Sequence, residues 1–331
     1  MTHLNRRQFA MGAAALAAGS IGSAHAAGYP ERDITFVNPW SPGGSTDAIV
    51  RQYSKQLEKL LNGNVIVTNL TGGSGTIGVG NVLRSKPDGY TIGYAGNGTL
   101  VFQPMVMKGL AWSKPDDFQP LVKLNSMPTL LAVRADSPIK NFGDFLKEVK
   151  AKPNQVRVGV AGLRTSADLE MQQINMAAHT KMRIVPFTGG SGESVLALLG
   201  GRVEAMAGYT DGLRGHVEAN AMRVIAVFQK GRYEPFPDAS PVGDQPGFTN
   251  ATLLPACNYV IGPKGMPKDV LDKLVTASRQ VVTSDEFKTF AQRGGLVLDP
   301  MGPTEIRAEL QRVVGTYDTL LKYLNAPANK A

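Results

Sequence analysis

The sequence predicts an α/β protein that is built from two lobes. Three observations support this fold class: short β-rich runs alternate with amphipathic helices, the alternation restarts after about residue 125, and the chain ends in successive helical segments. The first lobe is predicted to start with three strands separated by two helices, the strands at residues 34–37, 65–68 and 90–94 and the helices at 47–61 and 76–85. This alternation is typical of a mostly parallel sheet with helices on its faces.

The second half of the chain carries its own set of elements. Five strands are predicted at residues 129–133, 156–160, 182–185, 203–207 and 222–227, with helices at 142–151, 167–179, 193–199 and 213–220. A Pro-rich stretch follows, and then one strand and three helices, at residues 258–261, 268–283, 285–292 and 303–324. We expect these C-terminal helices to pack back on the first lobe. Lobe 1 is therefore predicted to comprise residues 27–127 and 250–331, and lobe 2 residues 128–249, with connecting strands near 125–130 and 250–258.

The first 26 residues have the pattern of an export signal. Arg6 and Arg7 precede an apolar run from Ala10 to Ala18, and Ala24-His25-Ala26 forms an A-x-A cleavage site. The run is much shorter than the roughly 20 residues that a membrane-spanning helix needs. We therefore expect a signal peptide that is cleaved near Ala26, and a mature protein in the periplasm. The paired arginines resemble a twin-arginine signal, and ordinary Sec export remains the alternative.

The charge of the chain favours a small anionic ligand over nucleic acid. The 331 residues carry a formal net charge of +8, and the mature chain keeps most of it. Its lysines and arginines are scattered singly or in pairs, whereas a nucleic-acid surface would gather them in one patch. Cys257 is the single cysteine, so no internal disulfide is expected, and a small buried side chain is its predicted role.

Loops rich in Gly, Ser and Thr follow six of the predicted strands. In an open α/β sheet such loops gather at the carboxyl ends of the strands, where ligands bind. Glycines allow successive N–H groups to converge, and a helix N-terminus adds unpaired N–H groups with partial positive charge. The alternative is a set of ordinary turns in which these residues act as helix caps. Because the pattern recurs in both lobes, we favour an anion site formed by residues 39–47, 71–76, 95–99, 161–166, 187–192 and 208–212.

Motifs for other chemistries are incomplete. Residues 73–78 match G-x-G-x-x-G, but the acidic residue expected about 20 positions later in a dinucleotide site is missing, and Asn97 lies near that place. The sequence has no P-loop, and residues 189–193 fail the G-x-S-x-G pattern at the fifth position. His179 and His216 lack metal-ligand spacing. We therefore predict a binding protein with no enzymatic activity, no metal and no cofactor.

Several motifs, in one order along nearly the whole mature chain, carry a family resemblance. They include Tyr29-Pro30, Pro39 to Asp47, the Gly-rich segment from Gly72 to Gly78, Lys86 to Thr91, Asp117 to Pro120, Pro186 to Gly189, and Leu198 to Glu204. With these motifs the chain resembles the Bug, or TctC-type, extracytoplasmic solute receptors of tripartite tricarboxylate transporters. The resemblance implies a type II periplasmic-binding-protein fold, with two Rossmann-like lobes and a ligand cleft between them. It also implies a carboxylate ligand, the integral membrane subunits of such a transporter as partners, and a monomer.

The resemblance also implies which residues hold the carboxylate. Backbone N–H groups, hydroxyls and ordered waters of two loops would bind it, at Trp40, Ser41, Gly43, Ser45, Thr46, Thr188, Gly189 and Ser191. The other strand-end loops add the candidates Asn97, Thr165, Ser166, Tyr209 and Asp211. Asp47 is expected to interact with the N-terminus of its own helix rather than with ligand.

Two departures from the family pattern bear on the ligand. Arg164 stands in a loop that is Gly-Ser-rich in many relatives, and its guanidinium suits bidentate binding of a second carboxylate; the alternative is a solvated surface arginine. Asn69-Leu70-Thr71 replaces a turn that is usually charged or contains proline. The ligand is therefore expected to be a di-, tri- or aromatic carboxylate, with Trp40 and Tyr209 available for apolar contact. A periplasmic ligand sensor that signals to a membrane receptor kinase remains the alternative function.

Overall fold

The structure is a computed structural model, and it describes residues 28–43, 45–187, 191–249, 253 and 255–326. The predicted signal peptide, residues 1–26, lies outside the described residues, as do Thr188 and Gly189 of the predicted site. Among the described residues, no helix is long and apolar enough to cross a membrane.

The first sheet has five strands in the order β2-β1-β3-β11-β4. The strands β1, β2 and β3 are parallel to one another, and β11 runs antiparallel to both of its neighbours. Their bounds are Ile34–Asn38 for β1, Val65–Asn69 for β2, Thr91–Gly96 for β3, Phe118–Met127 for β4 and Ala256–Pro263 for β11. We call this sheet, with the helices that pack on it, lobe 1.

The second sheet has six strands in the order β10-β9-β5-β8-β6-β7. Here β6 is parallel to β7 and β8, whereas β5 runs antiparallel to β8 and β9. The bounds are Leu130–Arg134 for β5, Arg157–Val160 for β6, Arg183–Pro186 for β7, Ala205–Gly208 for β8, Met222–Val227 for β9 and Ser240–Pro241 for β10. We call this sheet, with its helices, lobe 2.

The helices alternate with the strands along most of the chain. They are α1 (Ser45–Leu61), α2 (Thr76–Arg84), α3 (Phe142–Ala151), α4 (Ser166–Ala178), α5 (Ser191–Leu199), α6 (Thr210–Glu218), α7 (Lys268–Thr283), α8 (Asp285–Gly294) and α9 (Pro303–Asn325). A π-helical turn, Gly98–Phe102, continues into the short helix Gln103–Val106 after β3. The two sheets with their helices form the two-lobed α/β arrangement that the sequence predicts.

The two faces of the lobe-1 sheet carry different cores. One face packs against α1, α7 and α8 through apolar side chains such as Tyr53, Leu274 and Phe287. The other face packs against α2 and α9, and its core includes Tyr317 and Cys257. Burial raises the pKa of the Cys257 thiol to about 11, as expected for a cysteine that acts as a small core residue.

A buried lysine joins the last helix to the lobe-1 sheet. Lys123 of β4 is 1% exposed, and its Nζ donates to Asp299 Oδ2 and Glu309 Oε1, both at 2.6 Å. Glu309, on α9, also accepts from the Tyr259 hydroxyl at 2.6 Å. The sequence does not predict β4, because Lys123 and three polar residues interrupt its apolar run. Asp299 and Glu309, which are distant in sequence, pair with the buried ammonium group and so allow a lysine in this strand.

The strands and helices confirm the two-lobe organisation and shift several element ends by one to three residues. The largest shift is at α6, predicted from residue 213 and observed from Thr210, so that part of the 208–212 loop is the first turn of a helix. The chain crosses from the first sheet to the second between Met127 and Leu130. The return crossing lies near residues 250–254, which are only partly described. The exact lobe boundaries, 127/128 and 249/250, stay a prediction.

Candidate functional site

A buried carboxylate organises the loop that joins β1 to α1. Asp47 is 5% exposed; its Oδ2 accepts from Gly43 N at 3.1 Å and from Arg51 Nε at 2.8 Å. Its Oδ1 accepts from the amides of Asn38, at 3.3 Å, and Asn69, at 2.9 Å. Burial acts to raise the pKa of Asp47, but the hydrogen bonds outweigh it and hold the pKa well below its usual range. Asp47 is therefore ionised and fully engaged with the protein.

Asn69 connects the second strand to the same loop. Its Nδ2 donates to the carbonyl oxygen of Trp40 at 2.8 Å as well as to Asp47. Asn69, which departs from the family pattern, thus holds the β1–α1 loop in place from the neighbouring strand β2. Within the loop, Ser41 and Gly43 are exposed and Thr46 is half-buried. Gly43 has φ of +80°, a conformation that favours glycine. Ser45 begins α1, and its side chain is not described.

The β2–α2 loop and the turn after β3 meet beside Trp40. The Thr99 hydroxyl donates to Ser74 O at 3.0 Å. A Cβ added at Gly75, which has φ of +89°, would lie 3.1 Å from Thr99 Oγ1 and 3.5 Å from Trp40 Cζ2. The positive φ therefore favours glycine at this position, and a side chain would press against Thr99. Three predicted strand-end loops of lobe 1 come together at this point.

Lobe 2 contacts these loops through the start of α4. The Ser166 hydroxyl donates to Asn97 Oδ1 at 3.2 Å, and both side chains are buried. Ser74 Oγ donates to Leu163 O at 3.2 Å in the same region. Asn97 and Ser166, both predicted to bind ligand, thus bind each other across the lobes. Thr165 caps α4 by accepting from Asp168 N.

Arg164 lies in a left-handed conformation at the edge of this contact, with φ of +59°. Its backbone N donates to Asp168 Oδ2 at 2.5 Å, and its side chain is exposed. Asp168 is 3% exposed; burial raises its pKa to about 6, against the lowering effect of the hydrogen bond from Arg164. The hydrogen bond to Asp168 therefore holds the backbone from which the exposed Arg164 guanidinium extends.

The N-termini of α5 and α6 lie side by side in lobe 2. A Cβ added at Gly212 would lie 3.8 Å from Ser191 Cβ, so these two residues are neighbours. Tyr209 precedes α6 and packs, half-buried, against the core of lobe 1. Trp40 packs against that same core. The side chain of Asp211, at the second position of α6, is not described.

A second contact between the lobes lies beside Tyr209. The Tyr233 hydroxyl is 2.5 Å from Gly295 O and 2.6 Å from Thr210 Oγ1. Gly295 follows α8 and has φ of +65°. The guanidinium of Arg214, on α6, donates to Arg293 O. Sequence reasoning missed this contact, which links segments far apart along the chain and carries no local motif.

The described part of the chain contains no group of three or more His, Cys, Asp and Glu side chains placed to hold a metal. His179 is exposed and His216 half-buried, both away from the strand-end loops.

Comparisons with known proteins agree with this description. A family model described as "tripartite tricarboxylate transporter family receptor" matches residues 49–307. A UPF0065 protein of Bordetella bronchiseptica is 32% identical, over 77% of this chain and 74% of its own length. A solved structure described as a periplasmic transporter superposes with a TM-score of 0.81 and 27% identity, over 90% of this chain and 98% of the other. A Rhodopseudomonas palustris protein solved with adipate superposes with a TM-score of 0.81 and 21% identity, over 89% and 97% of the two chains.

Proposed function

The chain belongs to the tripartite tricarboxylate transporter receptor family, and from this membership we propose that it captures a small carboxylate between its lobes and delivers it to the membrane subunits of such a transporter. Members of this family are periplasmic solute-binding proteins and not enzymes. The proposal includes export by the predicted signal peptide and action as a monomer.

One observation carries the proposal: Trp40 of lobe 1 and Tyr209 of lobe 2 pack against the same core. Trp40 lies just before α1, and Tyr209 directly precedes α6. The N-termini of α5 and α6 are neighbours in lobe 2, since Ser191 lies close to Gly212, and α1 begins on the face of the lobe-1 sheet whose core Trp40 and Tyr209 pack against. Unpaired N–H groups and the helix dipoles favour an anion there.

Asp47 does not oppose an anionic ligand in this arrangement. Both of its oxygens accept hydrogen bonds from the protein, so its charge is neutralised locally by Arg51 and by three N–H donors. In the proposed site Ser41, Ser45 and Thr46 donate to the ligand, whereas the backbone N–H of Gly43 is already bound to Asp47 and shapes the loop instead. Ligand that binds both lobes stabilises the closed form by its higher affinity for that form.

We assign a second carboxylate of the ligand to Arg164. Its guanidinium is exposed at the edge of the contact between lobes, and no hydrogen bond or ion pair of its side chain is formed among the described residues. A planar guanidinium binds a carboxylate bidentately, which selects di- or tricarboxylates, or an aromatic acid with a second anionic group. The adipate-bound neighbour carries a dicarboxylate, which agrees with this class.

A thermal-shift screen of the mature protein tests the proposal. Mono-, di-, tri- and aromatic carboxylates are compared with amines and sugars, and a tight ligand raises the unfolding midpoint by mass action. A response to sugars or amines alone would overturn the proposal. Loss of ligand uptake on deletion of the membrane subunits separates transport from a sensing role.

The Arg164 assignment has its own test. Arg164→Ala should weaken binding of a dicarboxylate by about 10- to 100-fold, since one charge-assisted pair is lost, and leave a monocarboxylate nearly unchanged. Arg183→Ala, which removes an exposed arginine of β7, is the matched control. Equal losses for both ligand classes would refute the assignment.

A further inference from the structure

Two buried asparagines at the junction of the lobes have side-chain atoms without partners. Asn125 of β4 is 0% exposed and Asn258 of β11 is 2% exposed. Asn125 Nδ2 and Oδ1, and Asn258 Nδ2, form no hydrogen bond among the described residues. Buried polar atoms in folded proteins are nearly always paired, so three unpaired atoms in two adjacent amides require an explanation.

The strand register places both amides on one face of the lobe-1 sheet. Asn125 and Asn258 are cross-strand partners, so their side chains project to the same side. Asn258 alternates along β11 with Cys257 and Tyr259, which belong to the core beneath α9. Ala256 and Val260, its neighbours on its own face, belong to the core beneath α1. The two amides therefore lie on the α1 face.

The same register places the amides at the carboxyl end of β3. Asn258 pairs with Gly96, the last residue of that strand, and a Cβ at Gly96 would lie 3.8 Å from Asn258 Oδ1. Asn97, which follows Gly96, accepts at its Oδ1 from the backbone N–H of Cys257, the residue before Asn258. The asparagines therefore lie at the end of the sheet where the loop after β3 begins.

Lobe 2 reaches the same end of the sheet. Asn97 Oδ1 also accepts from the hydroxyl of Ser166, on α4 of lobe 2. Strand β4 ends at Met127, two residues after Asn125, and the chain then crosses to lobe 2. The amides therefore lie at the junction of the lobes, on the face of the sheet whose core Tyr209 packs against.

The unpaired atoms define the chemistry of the group that would satisfy them. Two amide nitrogens offer hydrogen to an acceptor, and one amide oxygen accepts. A hydroxyl group has two acceptor lone pairs and one donor hydrogen, which matches this set. Resting on the proposed carboxylate-binding function, we propose that Asn125 and Asn258 form a subsite for a ligand hydroxyl, and that the protein selects hydroxycarboxylates over their deoxy analogues.

The test uses matched pairs of acids that differ by one hydroxyl: lactate and propionate, malate and succinate, citrate and tricarballylate, and mandelate and phenylacetate. Dissociation constants are measured by calorimetry for the wild-type protein, Asn125→Leu and Asn258→Leu. In at least one pair the wild-type protein should bind the hydroxy acid about tenfold more tightly or better, because a site built for a hydroxyl rejects the analogue that lacks it. In each leucine variant this ratio should fall toward one, with the affinity for the deoxy acid preserved.

Leucine is branched at Cγ like asparagine and removes the unpaired polar atoms, but it is larger. Two independent positions are therefore tested, so that one variant that fails to fold does not end the experiment. The control is Ser54→Ala, which removes another buried, unpaired polar atom in the middle of α1 and should leave the ratio unchanged. The subsite would be overturned if the wild-type protein bound the two members of every pair equally. It would also be overturned if the leucine variants kept the wild-type ratio, because water alone would then fill the site. Either result would leave the proposed function standing. Binding of no carboxylate would overturn both.

Discussion

Replacing Asp47 with asparagine removes one charge and keeps the shape of the side chain. Each carboxylate oxygen accepts two hydrogen bonds, Oδ1 from Asn38 and Asn69, and Oδ2 from Gly43 N and Arg51. In the variant one oxygen becomes an NH2 group that faces two donors. One pair of bonds is therefore lost whichever way the amide is turned.

The loss can be estimated from the bonds. Hydrogen bonds to a charged group contribute about 1.5–3 kcal/mol each, so two lost bonds amount to about 3–6 kcal/mol. The variant no longer buries the charge of the Asp47 carboxylate, and this gain offsets part of the loss from the two hydrogen bonds. We expect Asp47→Asn to lower the free energy of unfolding by about 2–4 kcal/mol, in the range for broken buried pairs. Ligand affinity should fall as well, since the loop from Ser41 to Thr46 loses its anchor.

Urea unfolding measures the change, and its pH dependence identifies the cause. The folded-state pKa of Asp47 lies below its unfolded value. Its contribution is therefore complete above the unfolded pKa of about 3.9 and is lost as pH falls toward the folded pKa. The difference between wild type and Asp47→Asn should be constant from pH 6 to 8 and shrink between about pH 5 and pH 2.

Asp144 provides a matched control. It also lies in the first turn of a helix and accepts from the backbone N–H four residues earlier, from Lys140 at 3.0 Å, but that bond is exposed to solvent. Asp144→Asn should cost less than about 1 kcal/mol. Equal losses in the two variants, or a loss at Asp47 that does not change between pH 7 and pH 2, would refute the reasoning.

Two further predictions concern the contact between lobes. Burial raises the pKa of Asp168 to about 6, so its ionisation opposes folding as pH rises from about 4 through 6. Asp168→Asn, which keeps an oxygen for Arg164 N, should raise the thermal midpoint at pH 8 and have little effect at pH 4.5. Tyr233→Phe removes the hydroxyl bound to Gly295 O, a contact between the lobes worth about 1–1.4 kcal/mol. If ligand-driven closure forms this contact, the variant should bind ligand about 5- to 10-fold more weakly.

A specific outcome would contradict each of these two predictions. A lower midpoint for Asp168→Asn at pH 8 would mean that the carboxylate of Asp168 stabilises the fold when ionised. Unchanged affinity in Tyr233→Phe would mean that the contact between Tyr233 and Gly295 persists when the lobes open.

The sequence predicts most closely those helices and strands that are determined by residues within the element itself. The helix from Pro303 has its apolar stripe and N-terminal proline within its own residues, and its predicted and observed ends differ by one residue. By contrast, β4 contains Lys123, which no local rule places in a core. Its acceptors Asp299 and Glu309 are remote in sequence and become neighbours only in the fold.

The candidate site shows the same division. The strand-end loops were identifiable from glycine, serine and threonine alone, and the structure brings four of them together. The hydrogen bond between Asn97 and Ser166 could not be identified from the sequence, because it depends on how the two lobes meet. The position of Asn69 beneath Trp40 depends on strand pairing between Asn38 and Asn69, and the unpaired amides of the sheet depend on register. Both are properties of tertiary structure.

The position of β11 in the lobe-1 sheet sets an order on folding. It lies between β3 and β4, hydrogen-bonded to both, yet β4 ends at Met127 and β11 begins only at Ala256. The six strands of lobe 2 all come from the intervening chain, so the sheet of lobe 2 is complete in sequence before lobe 1 receives β11, the strand that joins β3 to β4. Until β11 is in place, the facing edges of β3 and β4 are unpaired and open to a foreign strand. A chaperone that covers those two edges would act before β11 pairs with them.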